Sequence, residues 1–362
     1  MSLRLDDNHN QMSSSPRFVI YFAAVFVALG GALGWRAIAA PQNAQAPATQ
    51  AQAPNQTPTI KVNIELVNIY FTVKTKKGGQ LIPNLEKSDF TVYEDGKQQT
   101  IQRFSRETDL PLTLGLLIDI SASQERLIDI ERQAAAEFFS SVIRPKDEAF
   151  LISFGKSTDL LQDYTSSARQ LTAALQDLRG DEGAPVLGGV PVNTGPIPTT
   201  GAPKGTLLFD AVYLASSEKL KSEVGRKALI LITDGEDQGS TYNRKTAIET
   251  AQRSDAIIYS IYYVDRAFYA AYGMGFGGGG ESDLRKMSEE TGGHVFTVSS
   301  KHPLNEVFKE IQDELRNQYS LAYESTNAVR DGSFRHIEIK VDNPSYHVQA
   351  RNGYYATPND AQ

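Results

Sequence analysis

Two stretches of the chain alternate apolar and polar residues, the pattern of strands that bury one face. The first stretch is 59–108 and the second is 318–357. Their alternating apolar positions are Val62, Ile64, Leu66, Ile69, Phe71 and Val73, and then Tyr319, Leu321, Tyr323, Ile337, Ile339 and Val341. Asp95-Gly96 lies between two such runs and predicts a hairpin turn. Since each stretch is marginal as a free-standing domain, we expect both to fold together as one small β-sheet or β-sandwich.

The intervening residues, 109–317, have a different pattern, in which short continuous apolar runs alternate with segments of helical period. The runs "LTLGLLID", "EAFLISF", "KALILIT" and "AIIYSIYYV" are typical of strands covered on both faces. Helical spacing is found in "ERLIDIERQAAAEFFSSVI", "NRKTAIETAQRS" and "NEVFKEIQDELRNQ". This alternation predicts an α/β fold with a doubly wound, mainly parallel sheet, inserted in or flanked by the small β domain. Two long Gly-rich loops, 179–205 and 269–280, interrupt it.

The N-terminal region contains one long apolar segment. Residues 18–35 ("FVIYFAAVFVALGGALGW") carry no charge and are long enough to cross a membrane, while Ala37 and Ala39 match the A-x-A pattern of a cleavage site. We therefore interpret 18–40 as a signal peptide or a retained transmembrane anchor. Both interpretations predict an extracytoplasmic location for the folded part, which would be periplasmic, secreted or membrane-anchored.

Three further segments show neither helical nor strand period. Residues 1–17 are interpreted as an N-terminal tail and 358–362 as a C-terminal tail. Residues 41–58 are rich in Pro, Gln and Ala and have no charge, so they cannot bury enough apolar surface to offset the entropy of ordering. We interpret them as a flexible linker.

Composition excludes several kinds of chemistry. The chain has 362 residues and a net charge of -7, and it contains no basic block, which argues against nucleic acid as a partner. It has no cysteine, so disulfides, zinc-thiolate sites and thiol catalysis are excluded. Membrane contact is expected only through 18–40, if that segment is retained.

Oxygen-bearing side chains cluster where predicted strands end. "LLIDISAS" ends a strand at Asp119 and continues with Ser121 and Ser123, "LILITDGED" places Asp234 after another strand, and Thr206 lies just before a helix. In an open α/β sheet, ligands bind beyond the carboxyl ends of the strands. Carboxylates and hydroxyls there suit a hard divalent cation such as Mg²⁺, Mn²⁺ or Ca²⁺. The alternative for Asp119 alone is a helix N-cap or a solvated turn residue.

These motifs resemble a known site. "DISAS", the Thr of "GTLLFDA" and the Asp of "TDGED" resemble the metal-ion-dependent adhesion site (MIDAS) of von Willebrand factor type A (VWA) domains, in their order and approximate spacing. The resemblance covers about 110–316 and implies a Rossmann-like VWA domain. It also implies that Asp119, Ser121, Ser123, Thr206 and Asp234 hold the ion, some of them through water. The flanking "SDFTVYEDGKQQTIQRF" and "QYSLAYEST" resemble bacterial exported VWFA-related proteins, which are common in acidobacteria.

The functional expectation is a non-enzymatic binding protein whose ion is completed by an acidic side chain of an unidentified protein partner. Mg²⁺ is the first expectation for the ion because it uses one or two carboxylates and keeps several waters. One alternative is a structural or assembly module of the cell envelope with a mainly stabilising ion. The other is a metal-dependent hydrolase, but the chain shows no Ser-His-Asp arrangement, and Ser121 stands where aspartyl-phosphate enzymes place a second acid.

Overall fold

The computed structural model describes most of the chain beyond residue 65. The described residues are 66–106, 110–180, 186–187, 190–191, 205–271 and 280–356. The predicted tails, the segment 18–40, the linker 41–58 and most of both Gly-rich loops therefore lie outside the described residues. No helix among those described is long and apolar enough to cross a membrane.

The regular elements alternate in type through the middle of the chain. In chain order the strands are β1 (Leu66–Thr75), β2 (Phe90–Glu94), β3 (Lys97–Gln99), β4 (Ile101–Arg106), β5 (Leu112–Asp119), β6 (Glu148–Phe154), β7 (Thr158–Thr165), β8 (Val186–Leu187), β9 (Val190–Pro191), β10 (Arg226–Thr233), β11 (Ala256–Tyr262), β12 (Val295–Thr297), β13 (Tyr319–Glu324), β14 (Phe334–Val341), β15 (Tyr346–Ala350) and β16 (Gly353–Tyr355). The helices are α1 (Ile128–Val142), α2 (Ala168–Ala174), α3 (Leu208–Leu214), α4 (Arg244–Arg253), α5 (Arg266–Ala271), α6 (Gly280–Thr291) and α7 (Leu304–Arg316).

The central sheet has the strand order β12-β11-β10-β5-β6-β7, parallel except for β7, which pairs antiparallel with β6. Every residue of β5 and β10 is buried, as their continuous apolar sequences require. One face packs against α1, α2 and α7, and the other against α3, α4 and α6. The predicted doubly wound α/β fold is confirmed, with the sheet mixed at its β7 edge.

The order of strands fixes where a ligand can bind. The chain runs from β5 to β6 on one side and later returns to β10 on the other side of β5. The carboxyl ends of β5 and β10 therefore flank a topological switch point, the usual ligand position in open α/β sheets.

Strands from the two ends of the described chain form two further sheets, while β8 and β9 pair only with each other. The sheet orders are β15-β1-β13-β4 and β16-β14-β2-β3, both antiparallel. Ile69, Phe71, Val92, Leu321 and Tyr323 pack in one hydrophobic cluster between them. The predicted β domain built from N- and C-terminal segments is confirmed, while the exact limits of 59–108, 109–317 and 318–357 stay predictions.

A buried polar network joins these two sheets. Glu94 on β2 accepts hydrogen bonds from Tyr323 (2.7 Å) and Tyr354 (3.0 Å), and pairs with Arg335 at 3.3 Å. Both charged side chains are almost fully buried, but each has several partners, which is what makes burial of charge tolerable.

Four elements, and the alternation of buried residues in β1, differ from the sequence pattern. The edge strand β7 was not predicted because it is largely solvent-facing, and β8, β9 and α5 were not predicted because they lie in or beside the Gly-rich loops. In β1, Val67 is buried and Leu66 is only half-buried, so the inward-facing set is Val67, Ile69, Phe71 and Val73.

Candidate metal-binding site

Asp119 is the last residue of β5 and is completely buried. Its Oδ1 accepts the backbone N–H of Ser121 at 2.9 Å, and its Oδ2 accepts the hydroxyl of Thr233 at 2.6 Å. The helix that follows has Leu127 at its N-cap position. Asp119 is therefore neither the cap of α1 nor a solvated turn residue.

Two serines connect the β5 end to the β10 end. Ser123 donates from Oγ to Asp234 Oδ2 at 2.6 Å, and the Oγ atoms of Ser121 and Ser123 lie 3.1 Å apart. Asp234 directly follows β10, and its Oδ1 accepts the backbone N–H of Glu236 at 3.2 Å. Four of the five predicted residues thus lie in one connected group of carboxylates and hydroxyls.

Thr206 is buried just before α3, and its backbone is hydrogen-bonded to the loop that follows Asp234. Its carbonyl accepts the N–H of Gln238 at 3.0 Å, while the neighbouring Leu207 N–H donates to Gly155 O at 3.0 Å. Among the hydrogen bonds of the described residues, none joins the Thr206 hydroxyl to the other four side chains. Thr206 therefore lies on a loop next to the four connected residues, and its hydroxyl makes no hydrogen bond among the described residues.

The site carries uncompensated negative charge. Burial and, secondly, the neighbouring Asp234 carboxylate raise the pKa of Asp119 to about 7, against the hydrogen bonds from Ser121 and Thr233. No ion pair of the described residues includes Asp119 or Asp234. Two carboxylates held together without a basic side chain need either a shared proton or a cation.

The donor set defines which cation would fit. Hydroxyls and carboxylates are hard ligands, and the described residues contain no group of three His, Asp or Glu side chains arranged to hold a metal. A divalent ion here would keep only two protein carboxylates, with hydroxyl oxygens and water as its other ligands. The residues present fit such an ion, as the sequence predicts.

Sequence reasoning missed a third buried acid beside the site. Glu131 on α1 is completely buried, and neither of its carboxylate oxygens has a hydrogen-bond partner among the described residues. Burial raises the pKa of Glu131 well above its usual value, and the charges of Asp119 and Asp234 raise it further. A signal for it exists in the sequence, since Glu131 occupies the apolar stripe that Ile128 and Ala135 define on α1.

Two other contacts at the site had no signal in the pattern. Tyr269, on α5, donates its hydroxyl to Asp234 Oδ2 at 2.8 Å. Gly235 has a φ of +80°, and a Cβ added to it would lie 2.5 Å from the carbonyl oxygen of Gly280, the first residue of α6. The backbone after Asp234 therefore packs directly on the start of α6, at a distance that only glycine permits.

The other acids near the site have local structural roles. Asp210, in the first turn of α3, accepts the backbone N–H groups of Thr241 (3.0 Å) and Tyr242 (2.8 Å). Asp237 accepts the N–H of Phe209 at 3.2 Å. These bonds fasten the loop after Asp234 to the start of α3.

Comparison with known families gives one match within the α/β part. Residues 198–310 match the family model of the von Willebrand factor type A domain. The α/β fold described above is the Rossmann-like VWA fold. No curated protein matches the sequence.

Several solved structures resemble this chain. Proximal thread matrix protein 1 from the mussel byssus, in a structure with a zinc-occupied MIDAS motif, is 15% identical over 62% of this chain and 50% of that chain, with a TM-score of 0.43. The conserved hypothetical protein BatB from Bacteroides thetaiotaomicron is 17% identical over 56% and 97%, with a TM-score of 0.40. The von Willebrand factor type A protein from Catenulispora acidiphila is 9% identical over 82% and 74%, with a TM-score of 0.41. This chain spans about half the length of the mussel protein.

Proposed function

We propose that this protein is an exported, non-enzymatic binding protein that holds a divalent ion at Asp119, Ser121, Ser123, Thr206 and Asp234. An acidic side chain of a protein partner completes the coordination of that ion. The observation that carries the proposal is the pair of buried carboxylates, Asp119 and Asp234, surrounded by hydroxyls and without a basic side chain. Two such groups at adjacent strand ends gain a counter-charge from a cation.

The chemistry of the ligand set explains why a partner would contribute a carboxylate. When bound, the ion would have only two carboxylates among its protein ligands, and neutral oxygens and water would fill its other positions. An incoming carboxylate would replace one of these waters with an anionic ligand. Mg²⁺ is the proposed ion, with Mn²⁺ or Ca²⁺ as alternatives.

Calorimetric titration of the chelated protein with Mg²⁺, Mn²⁺ and Ca²⁺ tests the ion site directly. Wild type should bind, and Asp119→Ala and Asp234→Ala should each abolish binding. Asp129→Ala is the matched control, because Asp129 is an exposed acid of α1 that pairs with Arg132. At a hundredfold excess over Kd, ion binding should add about 2.7 kcal/mol to the free energy of unfolding. Absence of binding by wild type for all three ions contradicts the proposal.

The partner is tested by capture from cell-envelope extract on wild type and Asp119→Ala, each with and without EDTA. A protein retained only by metal-loaded wild type, and lost when its own carboxylates are amidated, is the expected result. Ion binding that stabilises the fold without any retained protein would instead select the structural module. Turnover of phosphoesters by metal-loaded wild type but not by Asp119→Ala would select the hydrolase.

Export is proposed from the apolar segment 18–35 and the linker that follows it. A reporter enzyme that is active only outside the cytoplasm, fused after Pro58, should be active. Activity of a cytoplasm-dependent reporter at the same position would contradict this part of the proposal.

A further inference from the structure

Tyr269 occupies one side of the candidate site. Its hydroxyl donates to Asp234 Oδ2 at 2.8 Å, and the side chain is buried. The same carboxylate oxygen accepts Ser123 Oγ at 2.6 Å. Tyr269 is thus bonded to the acid at the β10 end and lies beside the serine that connects it to the β5 end.

The helix that carries Tyr269 is fastened to the site loop by a second, independent contact. Asp265 precedes α5, and its Oδ1 accepts the N–H groups of Ala267 (2.9 Å) and Phe268 (3.1 Å). Its other oxygen, Oδ2, pairs with Arg126 Nε at 2.6 Å. Arg126 lies three residues after Ser123, so α5 is attached to the loops from both strand ends.

Asp234 Oδ2 has no lone pair left for a cation while Tyr269 donates to it. A carboxylate oxygen offers two lone pairs, and on Asp234 Oδ2 both are used, by Ser123 and by Tyr269. A serine oxygen can coordinate a cation and still donate its proton to a carboxylate. The phenol of Tyr269 is therefore the donor that must leave if a cation, or a water bound to it, is to use Oδ2.

We propose that Tyr269 is an internal competitor of the ion, and that metal binding releases it from Asp234. This inference rests on the proposed function of the same site. It assigns α5 a regulatory role, because the ion gains Oδ2 only when the Tyr269 hydroxyl moves away. The side on which Tyr269 lies then becomes open to the carboxylate of the partner.

The substitution Tyr269→Phe tests this, since it removes the hydroxyl and keeps the ring. The loss of a hydrogen bond to a charged group should tighten Mg²⁺ and Mn²⁺ binding about ten- to hundredfold in calorimetric titration of the full chain. Tyr213→Phe is the matched control, because Tyr213 stacks on Tyr242 and makes no bond to the site. Equal or weaker ion binding by Tyr269→Phe overturns the proposal, and weaker binding would make Tyr269 a residue that orients Asp234.

Amide hydrogen exchange gives a second measurement of the same event. Saturation of wild type with Mn²⁺ should accelerate exchange of residues 266–271, whereas Asp119→Ala with Mn²⁺ should show no change. Unchanged exchange in metal-loaded wild type overturns the release of Tyr269 from Asp234. The proposed function fails in a different way, since neither wild type nor Tyr269→Phe would then bind an ion.

Discussion

Thr233 donates a hydrogen bond of 2.6 Å to Asp119 Oδ2 across the boundary between β10 and β5. The same hydroxyl accepts the N–H of Gly235 at 2.9 Å. One buried threonine therefore holds the first acid of the site and the turn that carries the second, Asp234. Its position follows from the register of the sheet, in which Ile232 pairs with Ile118.

We predict that Thr233→Val lowers the free energy of unfolding by about 1–3 kcal/mol, because it leaves buried polar groups of Asp119 and Gly235 without a partner. Urea denaturation of the chelated protein measures this. Thr72→Val is the matched control, since Thr72 is equally buried but its hydroxyl has no hydrogen-bond partner among the described residues. Equal losses in the two variants would show that the hydroxyl of Thr233 contributes nothing specific.

Glu131→Gln should stabilise the chelated protein at pH 8, because the buried amide carries no charge, whereas the buried carboxyl must there either hold a proton or carry a charge without a counter-ion among the described residues. Burial raises the pKa of Glu131, so the folded state holds its proton more tightly than the unfolded state. Stability is then full below the unfolded pKa and falls as pH rises through the folded pKa. The gain should therefore vanish at pH 4.

The control for this substitution is Glu137→Gln, an exposed acid of the same helix, which should change little at either pH. Chemical denaturation at both pH values gives the comparison. A Glu131→Gln variant that is no more stable at pH 8 than at pH 4, relative to wild type, would mean that Glu131 has an ionised partner.

Lys74→Met tests how the β part is fastened to α7. Lys74 on β1 pairs with Glu314 at 2.6 Å, and the Glu314 side chain is almost fully buried. Burial raises the pKa of Glu314 from 4.5 to about 7, with Lys74 opposing that rise. Stability linked to Glu314 is therefore lost as pH rises from about 4.5 to about 7, and Lys74 matters most above that range.

Loss of Lys74 should cost roughly 3 kcal/mol at pH 8 and clearly less at pH 5, because the buried carboxylate of Glu314 then has no cation beside it among the described residues. His294 lies 3.4 Å from that carboxylate, but burial lowers the pKa of His294 to about 3, so it is neutral at both pH values. Adding Glu314→Met to Lys74→Met should recover most of that loss. Lys76→Met, on an exposed neighbour, is the control, and thermal melts at both pH values are the measurement. A loss that does not depend on pH would show that the packing of the Lys74 stem, not its charge, matters.

Gly235→Ala should destabilise the protein more than Gly96→Ala does. Both glycines have φ near +80°, so both substitutions cost about 1 kcal/mol of backbone strain. Only at Gly235 does the added Cβ meet another backbone, that of Gly280, whereas Gly96 has nothing within 4 Å. Melting temperatures and Mg²⁺ titrations of both variants measure the difference, and equal effects would argue against close packing of α6 on the site.

The fold could be predicted because its signals are periodic. Continuous apolar runs marked β5, β6, β10 and β11, and alternation marked the strands of the outer sheets. The strand β7 was not predicted, because its sequence, "TDLLQDYT", lies at an exposed edge of the sheet, where about half of Leu160 is exposed to solvent. Hydrophobic period cannot mark a strand that buries neither face fully.

The candidate site was predictable in part, for a geometric reason. Asp119 and Asp234 follow adjacent parallel strands, so their loops had to meet once the strand order was set. The bond from Tyr269 and the pair Arg126–Asp265 depend on the path of a loop, which no periodicity encodes. Glu131 was overlooked although its position in the apolar stripe of α1 indicates burial, because acidic side chains usually lie at the surface.

Pairing between the two β segments has a consequence for the order of folding. Glu94 and Tyr323, whose side chains are hydrogen-bonded, are 229 residues apart in sequence. At roughly 5–20 residues per second, a ribosome needs roughly 10–45 s to make that interval. Throughout this time β1 and β4 exist without a sheet partner and β2 has only its hairpin partner β3, while the α/β part, made of nearer contacts, can already close. The β strands that are synthesised first are thus the last to complete their sheets. Their apolar faces must be kept from aggregating in the nascent chain until β13 and β14 have been synthesised.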